Sequence, residues 1–216
     1  MSASDVWLAE AAGWAAWARQ GDDGFAEFRA LLPPPGRATL DLGCGEGRFA
    51  RALAAEGHRV TGADVSPDLV ELARAAHADG TYLVADAEAL PFPDSSFDLV
   101  VAFNVLSCVA NLERAVSEAT RVLEPGGRLC LSAVHPVYTA GRAEGSDWVV
   151  EGGYLEERLH TERVRRGDAE LTFANVHRPL GAYAAAFERC GLELEALREP
   201  AWELVPMFLY LRGRKA

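Results

Sequence analysis

Between residues 38 and 133, five short apolar, β-rich runs are separated by turns and by stretches of helical character. This alternation constrains the fold more than any other feature, because it is the mark of βα units that build a parallel sheet. Strands are expected near 38–42 (ATLDL), 59–63 (RVTGA), 81–84 (TYLV), 97–103 (FDLVVAF) and 127–133 (GRLCLSA). Helices are expected over 46–56, 67–78 and 111–123, the last closed by EPGG, where proline and two glycines end a helix and launch a strand. The regularity breaks down over 134–175, and a stretch that long inside a compact domain is usually functional or carries structure that the pattern does not reveal. A helix near 179–190 and strands near 191–198 and 205–212 follow, the short EPAWELVP link suiting an antiparallel pair. The fold class is therefore α/β, a doubly wound, mostly parallel sheet with its ligand crevice at the carboxyl ends of the strands.

The first strand runs into DLGCGEGR. Gly43, Gly45 and Gly47 allow a tight turn and a close approach of backbone to ligand, which a Cβ would hinder. A dinucleotide fingerprint needs G-x-G-x-x-G, but here the third glycine comes one residue early and Arg48 takes the last position. Three acids then discriminate: Asp41 just before the turn, Asp64 after the second strand and Asp86 after the third. A row of carboxylates along one cleft repels a pyrophosphate and attracts a cation rich in N–H and O–H donors. S-adenosyl-L-methionine fits that row, with an ammonium and a sulfonium at one end, ribose hydroxyls in the middle and an adenine amino group at the far end. Two plainer readings stand beside it, Asp64 as a helix cap before Ser66-Pro67 and Asp86 as a turn aspartate.

Charge excludes one class of partner. With 32 acidic and 21 basic residues the net charge is −11, opposite to what phosphate-backbone binding requires. No nucleic-acid partner is expected, and ERVRRGD at 162–168, flanked by acids, reads as a solvated face. No apolar run approaches the roughly 20 residues of a membrane span, and the N-terminal stretch carries acids where a signal peptide carries bases. A cytoplasmic protein without a membrane partner is the expectation. The four cysteines lie far apart, without metal-ligand spacing, and read as reduced thiols with no metal.

Four segments in order, LDLGCGEGRFARAL, GADVSPDLVELAR, ADAEALPFPDSSFDLVVAFNVLSCV and RVLEPGGRLCLS, together resemble the class I S-adenosylmethionine-dependent methyltransferases. The likeness is to the small-molecule group that includes quinone-biosynthesis-like enzymes, and it runs through about 38–133. It implies a Rossmann-like seven-stranded sheet of order 3-2-1-4-5-7-6 with helices on both faces. Residues 1–37 would then be a helical cap, 38–133 the cofactor core, 134–175 an acceptor-site insertion and 176–216 a closing helix with antiparallel strands. Carried over by residue, the resemblance implies that Gly43, Cys44 and Gly45 wrap the methionine part, with Asp41 at its amino end. Asp64 binds the ribose beside Val65, Asp86 and Ala87 meet the adenine, and Asn104 and Leu106 line the floor near the sulfonium. The product would be S-adenosyl-L-homocysteine.

The acceptor side is less determined. His135, directly after the fifth strand, is the first choice for a base or acceptor ligand, or else a histidine that merely packs. His177 is the second, and His58 and His77 read as surface residues. Trp7, Trp14 and Trp17 share one helical face, as core or as lid. Trp14 and Trp17 with Tyr138, Trp148 and Tyr154 would close an aromatic cover over a small, apolar or aromatic methyl acceptor. FNVLSC after the fourth strand lacks the [DN]PPY-like motif of enzymes that methylate nucleic-acid bases. A monomer or homodimer is expected. A non-catalytic S-adenosylmethionine or S-adenosylhomocysteine sensor or scaffold is the rival reading, and a nicotinamide dehydrogenase is disfavoured by Arg48 and the acid row.

Overall fold

The computed structural model describes residues 3–18 and 25–216. These form α1 (Ala3–Ala18), α2 (Phe25–Arg29), β1 (Thr39–Leu42), α3 (Arg48–Ala55), β2 (Val60–Asp64), α4 (Pro67–Ala76), β3 (Thr81–Val84), β4 (Phe97–Phe103) and α5 (Leu112–Val122). They continue with β5 (Leu123–Val134), α6 (Pro136–Ala140), β6 (Gly141–Glu144), β7 (Asp147–Val150), β8 (Arg158–Arg166), β9 (Ala169–His177), α7 (Leu180–Arg189), β10 (Leu192–Arg198) and β11 (Phe208–Lys215).

Seven strands make one sheet in the order β10-β11-β5-β4-β1-β2-β3. Strands β1 to β5 run parallel, while β11 lies antiparallel to both β5 and β10. The spatial order matches the expected 3-2-1-4-5-7-6. Its last two strands carry higher numbers because two hairpins, β6–β7 and β8–β9, intervene in sequence and stay outside the sheet.

A parallel strand covered on both faces must be apolar throughout, and β4 (FDLVVAF) shows this. Leu99 and Val101 face one core with Phe28, Phe49 and Tyr210, while Val100 and Ala102 face the other with Leu129, Tyr183 and Phe187. Helices α2 and α3 cover the first face, and α5 and α7 cover the second. The helix starts have local causes. Ser66 Oγ accepts from Leu69 N ahead of Pro67 at the first turn of α4, and Asn111 Oδ1 accepts from Arg114 N at the start of α5.

The segment 134–175 is not irregular. It folds into α6 and the two antiparallel hairpins, β8–β9 pairing Arg158 with His177 through to Arg166 with Ala169. The longer hairpin packs on α1, where Trp7 Nε1 donates to Ala174 O at 2.8 Å and Phe173 sits among Trp7, Trp14 and Trp17. Val176 N donates to Ser107 O at 2.7 Å, which ties β9 to the loop after β4. His58 also departs from expectation. It is buried, with Nδ1 3.1 Å from Thr39 Oγ1, whereas His77 is half-buried beside the Tyr82 hydroxyl.

Candidate functional site

The turn after β1 is built from left-handed backbone. Gly43, Gly45 and Gly47 have φ of +72°, +54° and +81°, which favour glycine. A Cβ on Gly43 would lie 2.5 Å from the Val105 Cβ, so no side chain fits there. Gly43 N and Cys44 N both donate to Ala63 O, at 2.7 and 3.0 Å, and fold the turn back over the end of β2. Behind it, Arg51 bonds both the backbone oxygen and the carboxylate of Glu46, each at 2.7 Å.

Asp41 lies beneath this turn and is 1% exposed. The Ala50 N–H of α3 donates to it, while Oδ2 has no partner. Burial, and then the neighbouring Asp64, push its carboxyl up from 3.8 to about 8. Asp64 closes β2. Its Oδ2 accepts from Gly45 N at 2.9 Å and its Oδ1 from Ser66 N at 2.8 Å. Burial raises its pKa and these N–H bonds oppose the rise. Since Ser66 caps α4, Asp64 is left for the turn and for the open space beside it. Asp86 follows β3, and its Oδ1 accepts from Glu88 N at 2.9 Å, an aspartate turn that also faces that space. Asn104, after β4, has φ of +58°, a conformation asparagine tolerates better than most residues. Its Oδ1 accepts from Ser132 Oγ at 2.6 Å.

Apart from Asp41, which is buried beneath the turn and outside the lining, these groups share one cavity of about 550 Å³. Gly43, Gly45, Asp64, Val65, Asp86, Ala87 and Asn104 line one end of it, along the carboxyl edge of β1 to β4. Trp14, Trp17 and Tyr138 line it elsewhere. The Trp14 and Trp17 rings stack with centroids 5.7 Å apart, and Trp14 lies over Gly45.

The remaining expected residues lie outside the lining. Leu106 is wholly buried in the main core, and Cys44 packs with Ala50, Val70 and Tyr82. Burial and the nearby Asp41 push the Cys44 thiol far above its usual range, which removes it as a nucleophile. His135 Nδ1 accepts from Val137 N at 3.0 Å, capping α6, and its Nε2 donates to Glu199 Oε1 at 2.8 Å. His177 is fully buried, with Nδ1 2.7 Å from Thr139 Oγ1 and Nε2 donating to Tyr154 O at 2.9 Å. Neither ring has a nitrogen left for a guest. Trp148 packs on Tyr138 and donates to Val137 O, and Tyr154 packs on His177. These two aromatics therefore support the cover from behind.

Sequence reasoning missed the polar groups of the chamber. His160, Glu162 and Val164 line it from alternate positions of β8, the period-2 spacing that puts them on one face. His160 Nε2 is buried without a hydrogen-bond partner. Burial, followed by the charges of Arg158 and His177, lowers its pKa and favours the neutral ring. Glu162 accepts from the Tyr138 hydroxyl, and burial raises its carboxyl. Trp7, Phe173, Trp202 and Phe208 add aromatic walls.

A family model described as a methyltransferase domain matches residues 40–131. The crystal structure of an S-adenosylmethionine-dependent methyltransferase from Mesorhizobium loti is 30% identical, with a TM-score of 0.77 over 90% of this chain and 99% of that one. The chain belongs to the S-adenosylmethionine-dependent methyltransferases. A malonyl-[acyl-carrier protein] O-methyltransferase from Serratia marcescens is 37% identical over 100 residues, 46% of this chain and 39% of that one. A demethylmenaquinone methyltransferase from Tropheryma whipplei is 39% identical over 107 residues, 48% of this chain and 44% of that one. The match thus spans about two fifths of the length of these relatives.

The cofactor of this methyltransferase family is S-adenosyl-L-methionine, and the residues present suit it. A buried carboxylate oxygen without a partner lies under the glycine turn, the turn has no room for a Cβ at Gly43, and two further carboxylates flank the cavity. Among the described residues no helix is long and apolar enough to cross a membrane.

Proposed function

We propose that this methyltransferase moves the methyl group of S-adenosyl-L-methionine to a small, apolar or aromatic acceptor. The observation that carries the reading is the single cavity that joins the glycine turn and acid row to an aromatic chamber. Its volume lies within the range of small-molecule sites, roughly 300–1,000 Å³.

The bound cofactor supplies an activated methyl group, so the protein needs no covalent intermediate of its own. Gly43 and Gly45 let the backbone approach the methionine part, and Asp41 balances its amino group from below. Asp64 accepts from the ribose hydroxyls with Val65 alongside. Asp86 accepts from the adenine amino group, and Ala87 offers its backbone N–H. Asn104, fixed by Ser132, sets the floor where acceptor and cofactor meet. Trp14, Trp17 and Tyr138 exclude water and align the acceptor, which is the protein's main contribution to an in-line displacement. Residues 38–133 act as the cofactor core, 1–37 and 134–175 as the cover, and 176–216 as the closing helix and strands.

Titration calorimetry with S-adenosylmethionine, S-adenosylhomocysteine and NADH in parallel tests this reading. Micromolar binding of both sulfur nucleosides without NADH binding is expected, followed by S-adenosylhomocysteine formation from a metabolite extract. NADH binding alone would overturn it.

A further inference from the structure

The charge of the chamber is one-sided. Its lining carries Asp64, Asp86 and Glu88 at the nucleoside end and Glu162 at the acceptor end, and among the described lining residues there is no lysine or arginine. Cations are close by and turned away. On β8 the alternation that sends His160 and Glu162 inward sends Arg163 and Arg165 outward, where both are exposed and pair with Glu170. Arg158 donates to the backbone oxygens of Gly153, Thr139 and Glu151. An acceptor bearing a carboxylate or phosphate would meet Glu162 with no counter-charge, a repulsion that grows as water is excluded.

The acceptor end has the opposite preference. Among the described residues Glu162 receives a hydrogen bond from Tyr138, and a carboxylate can accept about four. Phe173 stands opposite it in the β8–β9 ladder, and Tyr138, Trp202 and Phe208 line the same cavity, aromatic rings of a kind that attract cations. His160, two residues away on the same face, also lines this space, with its Nε2 buried away from solvent and without a hydrogen-bond partner.

We infer that the methyl acceptor is an aromatic or apolar amine, its ammonium docked on the Glu162 carboxylate, which also takes its excess proton. This rests on the methyltransferase reading of the same cavity. The docked ammonium passes one proton to the Glu162 carboxylate and becomes a neutral amine. The nitrogen lone pair then forms the new N–C bond while the C–S bond breaks, its electron pair staying on sulfur. The methylated product leaves as an ammonium, and Glu162 returns its proton to solvent. The direction of the Glu162 shift agrees with this role: burial pushes its carboxyl up, a cost that a cationic guest relieves and one that strengthens the carboxylate as a base.

Calorimetry of the full chain saturated with S-adenosylhomocysteine tests the inference, using phenethylamine and tryptamine against phenylacetate and indole-3-acetate. The amines are expected to bind at least tenfold more tightly than the matched acids. Glu162→Gln should remove that preference while leaving S-adenosylhomocysteine affinity unchanged, and Tyr138→Phe, which retains the carboxylate, should preserve it. Acids binding as well as amines, a preference that survives Glu162→Gln, or no amine binding at millimolar concentration would overturn the inference. S-adenosylhomocysteine binding is read first and separately, so its absence would strike the methyltransferase reading itself.

Discussion

Asp41→Asn isolates a buried carboxyl that the fold pushes toward its protonated form. The side chain is 1% exposed, one carboxylate oxygen has no partner, and the folded pKa is about 8 against an ordinary 3.8. Because the folded value is raised, the native state binds the extra proton between these two limits. Its contribution to stability is complete below about pH 4 and is lost as pH rises through about 8. At about 1.4 kcal/mol per pH unit the full span amounts to about 6 kcal/mol, and relaxation around the charged form returns part of it, leaving about 2–4 kcal/mol. Urea unfolding of the wild type at pH 5, 7 and 9 should show this loss, whereas Asp41→Asn, which cannot ionise, should lack it. The buried histidines, whose lowered pKa values act in the opposite sense below about pH 6.5, are common to both proteins and cancel in the difference. Parallel stability curves for the two proteins would refute the reasoning.

Three further outcomes are expected. Asp64→Ala should weaken S-adenosylmethionine binding by about 1.5–3 kcal/mol, the range of charge-assisted hydrogen bonds, and unchanged affinity by calorimetry would remove Asp64 from the site. Gly43→Ala combines a left-handed backbone with a clash against Val105 and should lower stability by about 2–4 kcal/mol in urea unfolding; a denaturation midpoint equal to the wild type would contradict the turn as described. His135→Ala should cost about 1–3 kcal/mol of stability through the lost bonds to Val137 and Glu199, yet keep turnover within about twofold in a methyl-transfer assay, since the ring lies outside the cavity; a hundredfold fall in kcat would restore it as a base.

The central sheet was legible because strands buried on both faces leave continuous apolar runs such as FDLVVAF, and because the glycine turn and the acids at strand ends are local in sequence. The cover was not. In β8 the residues that point inward are His160, Glu162 and Val164, so the hydrophobic alternation that reveals a half-buried strand is broken by the polar groups of the chamber itself. His135 and His177 stand near strand ends in the sequence, but what decides their chemistry is who holds their ring nitrogens. For His177 that is Thr139, 38 residues away. His58 is likewise buried by a partner 19 residues distant. Such pairings leave no periodic trace.

The β8–β9 ribbon hydrogen-bonds as a strand pair only with itself, and an isolated two-stranded hairpin is at best marginally stable in water. Its order is therefore borrowed, chiefly from α1 through the Trp7 bond to Ala174 and the packing of Phe173 among three indoles, and at its base from the Ser107 loop through Val176 N. Two segments nearly the whole chain apart consequently make up one cooperative unit. Amide exchange should give α1 and the ribbon a single opening free energy, set apart from that of the parallel sheet beneath them.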